Sequence, residues 1–573
     1  PRRAPGGLLA YGRRARSPAS APMAPTEASV PHPLRRPGPL LLAAALVLAL
    51  VTGGRDAWSE GAVSLQGDMP RYMMDGVFLR DLLHAAPFWP PARLLDYAQH
   101  YYVRYPALSL GHHPPLVAAS LVPFFEVFGI SVAAARLDLV AFFLAAVGLL
   151  YAIGRRLFDE GTAGWTAALF ASSPFVVAYA QAVLSELPAM TLVLAAVLFA
   201  LRFAETGRLR DYAGLLAAAA LSLTARPPAI FAMPVYLWIV TANGSWRHFR
   251  QRAVLVTTLG GGAALAVLAL ALVALSPFNL RVVRFILESG FGLGNPARVL
   301  AIIASQQIGP PLLWTWLAGV VAALLVRDRR QATPLVWIAA VLGGVLAVTG
   351  MTEPARYSAL AVPAYCLGAG SLWASAGRWR PAAALALGLA VAWQTAAAAA
   401  VRPVGAGGYE EAAEYVAGRP GGPTVLFSGA VDSGYFVFFV RKHDPAGELV
   451  VLRADKVLTT SQMGEVAVED RISDRAEIYD VLHRFGTRWV VLEDAPSGSV
   501  VLDWLREEAH GPRFAERLRV PIATGDVRLR GVDVVVYEYL APQSPAPDAV
   551  VDLRLPVVSR TIRVPLAELR PSR

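Results

Sequence analysis

Apolar stretches near the length needed to span a bilayer recur along most of this chain. They cover roughly 38–53, 131–153, 162–180, 187–204, 211–225, 228–242, 253–275, 309–326, 333–350, 358–375 and 381–400. A helix needs about 20 apolar residues to cross the hydrocarbon core, so the pattern predicts about eleven transmembrane helices. Past residue 401 the pattern changes. TVLFSGAVDSGYFVFFV, GELVVLRA, TRWVVLED and GVDVVVYEYL read as strands, whereas YEEAAEYVAG, RAEIYDVLHRF and VLDWLREEAHG carry helical spacing. The expected architecture is a polytopic α-helical membrane protein over 38–401 with a C-terminal α/β domain over 402–573. Residues 1–37, rich in Pro, Arg, Ala and Ser, are expected to form a disordered tail. The run 39–53 follows Arg35 and Arg36 without a convincing small-residue cleavage pattern, and reads as an uncleaved first span.

Charge sorts the loops. Lys and Arg concentrate on the cytoplasmic side of membrane proteins. With Arg35 and Arg36 inside, every return to that side meets a basic cluster: Arg155–Arg156, Arg208 and Arg210, Arg247–Arg252, Arg327–Arg330, Arg378–Arg380. The apolar run 114–129 is short and holds Pro123 and Glu126. Were it to span, five basic clusters would change sides, so it is expected at the interface or as a re-entrant segment. Residues 54–130 then form a long first outer loop with interfacial helices. Glu186, Arg226, 276–308, 351–357 and the whole of 402–573 fall on the same outer face.

Composition fits this reading. The 573 residues are 55% hydrophobic and 16% charged, against about 25% charged in soluble domains. The net charge of +10 arises from arginines between apolar runs, which argues against a nucleic-acid partner. The single cysteine, Cys366, builds no disulfide framework. No internal repeat, phosphate-binding Gly loop or catalytic triad stands out.

Several outer residues could carry chemistry. Asp68, in GDMPRYMMDG, is the first acid after the first span, with Tyr72 one turn further on. A carboxylate in a partly dehydrated cleft gains pKa and suits a general base. The bland reading is a solvated loop aspartate; Asp75, Asp81 and Asp96 compete for the role and read as surface or capping residues. His112 and His113 precede two prolines and could bind a metal or a phosphate, or simply mark the entry into the membrane. Glu186 could be a helix-start partner. Arg226, at a proline break, could hold a phosphate or snorkel. Arg356 and Tyr357 follow Glu353, and the outer arginine suits phosphate oxygens, with a plain salt bridge as the alternative.

In this order the pieces resemble the GT-C glycosyltransferases of the family 39 type, which include protein O-mannosyltransferases and aminoarabinose transferases. The resemblance covers about 38–400. Asp68 and Tyr72 match an acidic pair followed by tyrosine, with Met69 in place of the second acid. His113–Leu116 match HPPL, Ala134–Leu137 match AARL, and Arg155–Phe158 match RRLF. Glu186 with Pro188 matches the second-loop acid. Arg226 stands where the family has lysine, and Glu353, Arg356, Tyr357 and Pro363 match a late RY motif. The resemblance implies inverting sugar transfer from a polyprenyl-phosphate donor to a glycolipid, lipopolysaccharide or protein acceptor of the cell envelope. The setting it implies is a bacterial cytoplasmic membrane, with membrane lipids as partners. Asp68 would be the general base; Tyr72, Glu186 and His113 would orient acceptor or metal; Arg226, Arg356, Tyr357 and Glu353 would bind the donor phosphate. It implies no certain cofactor and leaves room for a divalent metal, which the loss of the second acid at Met69 disfavours. A lipid-linked-sugar transporter or flippase would call for midplane charges and repeated halves; the sequence shows few such charges and no repeat. An inactive scaffold is the remaining alternative.

Overall fold

The computed structural model describes residues 37–55, 63–64, 68–109, 113–242, 245–275, 284, 295–347, 354–401, 405–419, 422–429, 434–461, 468–524, 526–555 and 560–569. The tail 1–36, His112 and Glu353 lie outside them.

Helices occupy all eleven predicted runs. Among the described residues five helices are long and apolar enough to cross a membrane: Val132–Leu157, Glu186–Thr206, Pro296–Leu325, Arg329–Ala347 and Gly377–Ala400. The pair Glu160–Ala171 and Pro174–Gln181, bent by 57°, passes the same test when taken together, as a broken span or a re-entrant loop. The bend has a local cause. Ser173 accepts a hydrogen bond from the Val176 amide, and Pro174 occupies the first helical turn, where its missing N–H does no harm. The remaining runs form shorter apolar helices or, at Leu209–Ala225, a 17-residue helix.

In chain order the first helices are α1 (Gly38–Gly54), α2 (Met69–Ala85), α3 (Pro91–Arg104), α4 (Leu116–Phe128), α5 (Val132–Leu157), α6 (Glu160–Ala171), α7 (Pro174–Gln181), α8 (Glu186–Thr206) and α9 (Leu209–Ala225). α4 is the short apolar run. Its 13 residues rise only about 20 Å, short of a bilayer core of about 30 Å. It packs between α2 and α5, where the Ser120 hydroxyl donates to Asp138 at 2.8 Å.

The C-terminal part holds a five-stranded sheet. Its strands run in the order β4 (Val450–Arg453), β3 (Thr424–Ser428), β7 (Thr487–Glu493), β9 (Asp533–Tyr539) and β8 (Phe514–Pro521), β1 and β2 being the pair Val63–Ser64 and Gly405–Ala406 and β5 and β6 the pair Thr459–Ser461 and Val468–Asp470. β3 runs parallel to β4 and β7, whereas β9 is antiparallel to β7 and β8. One expectation needs correction. Only the first part of TVLFSGAVDSGYFVFFV is strand; Gly434–His443 is a helix. Seven consecutive residues from Gly434 to Val440 are buried, so no amphipathic period marks the helix. The edge strand β8 and the hairpin Val550–Leu555/Arg560–Pro565 also went unpredicted.

The segment between α1 and α5 and this sheet domain are joined directly. Val63 and Ser64 pair with Ala406 and Gly405. Arg441 donates to Asp81 through Nε at 3.0 Å and Nη2 at 2.8 Å, and the Tyr101 hydroxyl donates to the same oxygen at 2.8 Å. Arg453 reaches the Pro106 carbonyl at 3.0 Å. Arg55, after α1, donates to the carbonyls of Ala399 and Val401 and so caps the helix Arg380–Ala400.

Candidate active site

Five separate chain segments bring the sequence-selected residues to one place. Asp68 is the residue before α2, and Pro70 sits in its first turn. Tyr72 follows by one turn and is buried. His113 precedes α4, Glu186 opens α8, Arg226 ends α9, and Arg356 and Tyr357 end the short helix Pro354–Tyr357. The opposite ends of α5, α8 and α9 carry Arg155–Arg156, Arg208 and Arg210.

Charge pairing organises the site. Arg356 bridges the two acids: Nη2 lies 3.1 Å from Asp68 Oδ2, and Nε donates to Glu186 Oε1. Arg226 Nη1 lies 2.5 Å from the same glutamate oxygen and 3.2 Å from Ser185 Oγ. The Arg226 guanidinium also sits over the Tyr357 ring, 5.1 Å from its centre. His113 Nε2 lies 3.4 Å from Asp68 Oδ1, and its ring stacks on Tyr72 at 4.3 Å. Glu186 is fully buried, 0% exposed, and its second oxygen has no hydrogen-bond partner among the described residues. A buried carboxylate survives only when paired, and here two guanidinium groups share one of its oxygens.

These contacts correct two expectations. The hydrogen bond from His113 and the charge of Arg356 hold the Asp68 carboxyl well below the usual carboxylate range, overcoming partial burial. Asp68 is therefore not a raised-pKa base in this state. Arg356 is oriented by Asp68 and Glu186; the expected neighbour Glu353 lies outside the described residues. Asp75 is also no surface residue. It is buried, accepts the Ser109 amide at 2.9 Å, and burial pushes its carboxyl up to about 7. The Ser109 carbonyl in turn accepts the His113 amide at 3.3 Å, so Asp75 anchors the segment that presents His113. Burial likewise pushes Tyr72 up to about 12, against a hydrogen bond with Ser185.

Two contributors escaped sequence reasoning. Ser185 stands beside Glu186. Gln307 is buried on the π-helical turn Ile303–Ile308. Its amide donates to the Ala355 carbonyl at 3.1 Å, and its side-chain oxygen accepts the Ser358 hydroxyl at 3.2 Å. It thus clamps the turn that carries Arg356. A glutamine inside an apolar run was the available signal.

Among the described residues no group of three His, Cys, Asp or Glu side chains is placed to hold a metal ion. Asp68 and Glu186 are separated by a guanidinium rather than open to a shared cation. The described donor set does not fit a metal.

Residues 112–278 match the family model of dolichyl-phosphate-mannose-protein mannosyltransferases. No curated protein sequence matches the chain. In space the chain is similar to the crystal structure of ArnT from Cupriavidus metallidurans bound to undecaprenyl phosphate. The TM-score is 0.50 at 15% identity, covering 88% of this chain and 99% of that one. The apo oligosaccharyltransferase of Archaeoglobus fulgidus aligns over 80% of this chain and 69% of its own, at 13% identity and a TM-score of 0.49, a likeness too loose to add weight. The resemblance to GT-C glycosyltransferases of the family 39 type therefore holds, carried in sequence by residues 112–278 and in space by the fold shared with ArnT.

Proposed function

We propose that this chain moves a sugar from a polyprenyl-phosphate donor to an extracytoplasmic acceptor, with inversion and with Asp68 as general base. The observation that carries the reading is the convergence of Asp68, His113, Glu186, Arg226 and Arg356 on one charged cluster from distant parts of the chain. The undecaprenyl phosphate in the ArnT structure supports a lipid phosphate as the donor's leaving group. The cluster lies at the helix ends opposite the arginine-rich ones, which favours an outer-face site in a bacterial cytoplasmic membrane. The domain 402–573, held against the first outer loop by the Arg441–Asp81 pair, shares that face.

In the reaction an acceptor oxygen attacks the anomeric carbon, its proton passes to Asp68, and the bond from that carbon to the phosphate oxygen breaks. The departing lipid phosphate gains charge, which Arg226 and Arg356 neutralise. The N-terminal ends of α2 and α8 add a favourable field for the anion. Donor phosphate competes with Asp68 for Arg356. Losing that cation raises the basicity of Asp68 when the donor is in place, while the His113 hydrogen bond, the larger cause of its low pKa, stays and orients the carboxylate. Positioning supplies the rest.

The test is Asp68→Asn, assayed with polyprenyl-phosphate sugars in reconstituted vesicles. Asparagine keeps shape but accepts no proton, so turnover should fall by about 10²–10⁴ with folding intact. The exposed Asp96→Asn should transfer normally. Normal turnover in Asp68→Asn removes it as the base.

A further inference from the structure

A second cavity lies away from this cluster, between the C-terminal end of α2, α3 and the sheet domain. Its volume is about 540 Å³, within the usual range for small-ligand sites. Asp81, on its wall, is thirteen residues beyond Asp68 on α2, or about 20 Å along the helix at 1.5 Å per residue.

The lining is aromatic and cationic. Tyr97, Tyr101 and Tyr105 form a ladder, with ring centres 5.9 Å and 5.2 Å apart. Tyr101 is engaged with Asp81, and so is Arg441. Tyr105 is different: it is 1% exposed, and its hydroxyl has no hydrogen-bond partner among the described residues. A buried hydroxyl left unpaired costs stability, and a ligand hydroxyl would complete it. Arg104 is the second open group. Its Nη2 donates to the Leu569 carbonyl, but its Nε is buried without a partner, and no carboxylate pairs with it among the described residues. The nearby histidines already have acids, His84 with Glu126 and His100 with Glu568. Gly447 keeps the wall open. Its φ of +69° suits glycine, and a Cβ there would come within 2.9 Å of Arg104 Nη1.

Ring faces for the C–H face of a pyranose, a free hydroxyl for its hydroxyls and an unpaired guanidinium define one ligand class. We propose that this cavity is a second binding site, which holds an acidic sugar unit of the acceptor about 20 Å from Asp68. The anionic group meets Arg104, a hydroxyl meets Tyr105, and the ring lies against Tyr97. The acceptor would then be an acidic glycan long enough to reach both sites. This rests on the glycosyltransferase reading for its purpose, but binding can be measured without transfer.

The full-length protein in detergent is titrated with trigalacturonate, glucose 6-phosphate and neutral maltotriose, followed by saturation-transfer NMR and calorimetry. At least one acidic probe should bind, and maltotriose more weakly; preference between the two acidic probes tells carboxylate from phosphate. Arg104→Gln should weaken the acidic probe about tenfold and erase the preference over maltotriose. Tyr105→Phe should weaken it about fivefold. Because that hydroxyl has no partner among the described residues, a purely structural tyrosine would show no loss. Asp68→Asn should leave the binding unchanged. Absence of acidic-probe binding, equal affinity for maltotriose, or indifference to Tyr105→Phe overturns the site. If transfer is meanwhile intact, the glycosyltransferase reading stands without it; if binding holds while transfer is never seen, that reading falls and the site remains.

Discussion

Asp75→Asn offers a direct test of how the first outer loop is built. The carboxyl is buried and its only described hydrogen bond is from the Ser109 amide. Burial raises its pKa from 3.8 to about 7, opposed by Ser109 and Arg71. The folded protein therefore keeps a proton that the unfolded chain has released between about pH 4 and pH 7. Stability falls as pH rises through that window and levels off above it. A difference of about 3 units at 1.36 kcal/mol each is on the order of 4 kcal/mol. Asparagine still accepts the Ser109 amide but never ionises, so the penalty disappears. With an unfolding entropy of about 2 cal/mol/K per residue over 573 residues, the gain is about 3 °C in Tm at pH 8 and close to zero at pH 4. Thermal unfolding in detergent, followed by tryptophan fluorescence at both pH values, measures it. A lower Tm for the variant at pH 8, or the same shift at both pH values, would refute the buried-carboxyl reasoning. Transfer should survive, because the Ser109 link to His113 is kept.

Arg226→Ala and Arg356→Ala should each weaken use of the donor by roughly tenfold to a hundredfold, since charge-assisted bonds are worth about 1.5–3 kcal/mol; Arg356→Lys should rescue only in part, because lysine lacks the planar fork that spans Asp68 and Glu186. Unchanged donor kinetics in both alanine variants would remove them from the phosphate site. Gln307→Leu should lower kcat/KM for the donor by about tenfold through a misplaced Arg356 turn, with expression and Tm near normal; a pure folding defect would argue against a positioning role. Val500→Cys, 63% exposed, should react with a membrane-impermeant maleimide from outside the cell, with Cys366 silent because it is buried; labelling only after permeabilisation would reverse the orientation and sink the proposed mechanism.

The apolar runs each coincide with helix, because lipid demands long, self-satisfied helices and the hydropathy pattern records that demand directly; they missed Pro296–Ile308, expected in an outer segment and found helical, continuous with the candidate span that ends at Leu325. The same pattern marked α4 as too short to span. Motif order singled out Asp68, Tyr72, His113, Glu186, Arg226 and Arg356, and the fold brings them into one cluster. What each selected residue touches was not legible, since the partners lie as much as 288 residues apart. Only the tertiary structure put His113 against Asp68 and Arg356 between Asp68 and Glu186, and the His113 hydrogen bond first, with Arg356 behind it, reverses the expected direction of the Asp68 pKa. Only the fold buried Asp75, which reads in sequence as one more loop acid. The helix Gly434–His443 lost its periodic signature because the fold covers it on all sides. Hydropathy is a property of one segment against its solvent, whereas ionisation and pairing depend on which distant segments share a site, and that was decided by packing.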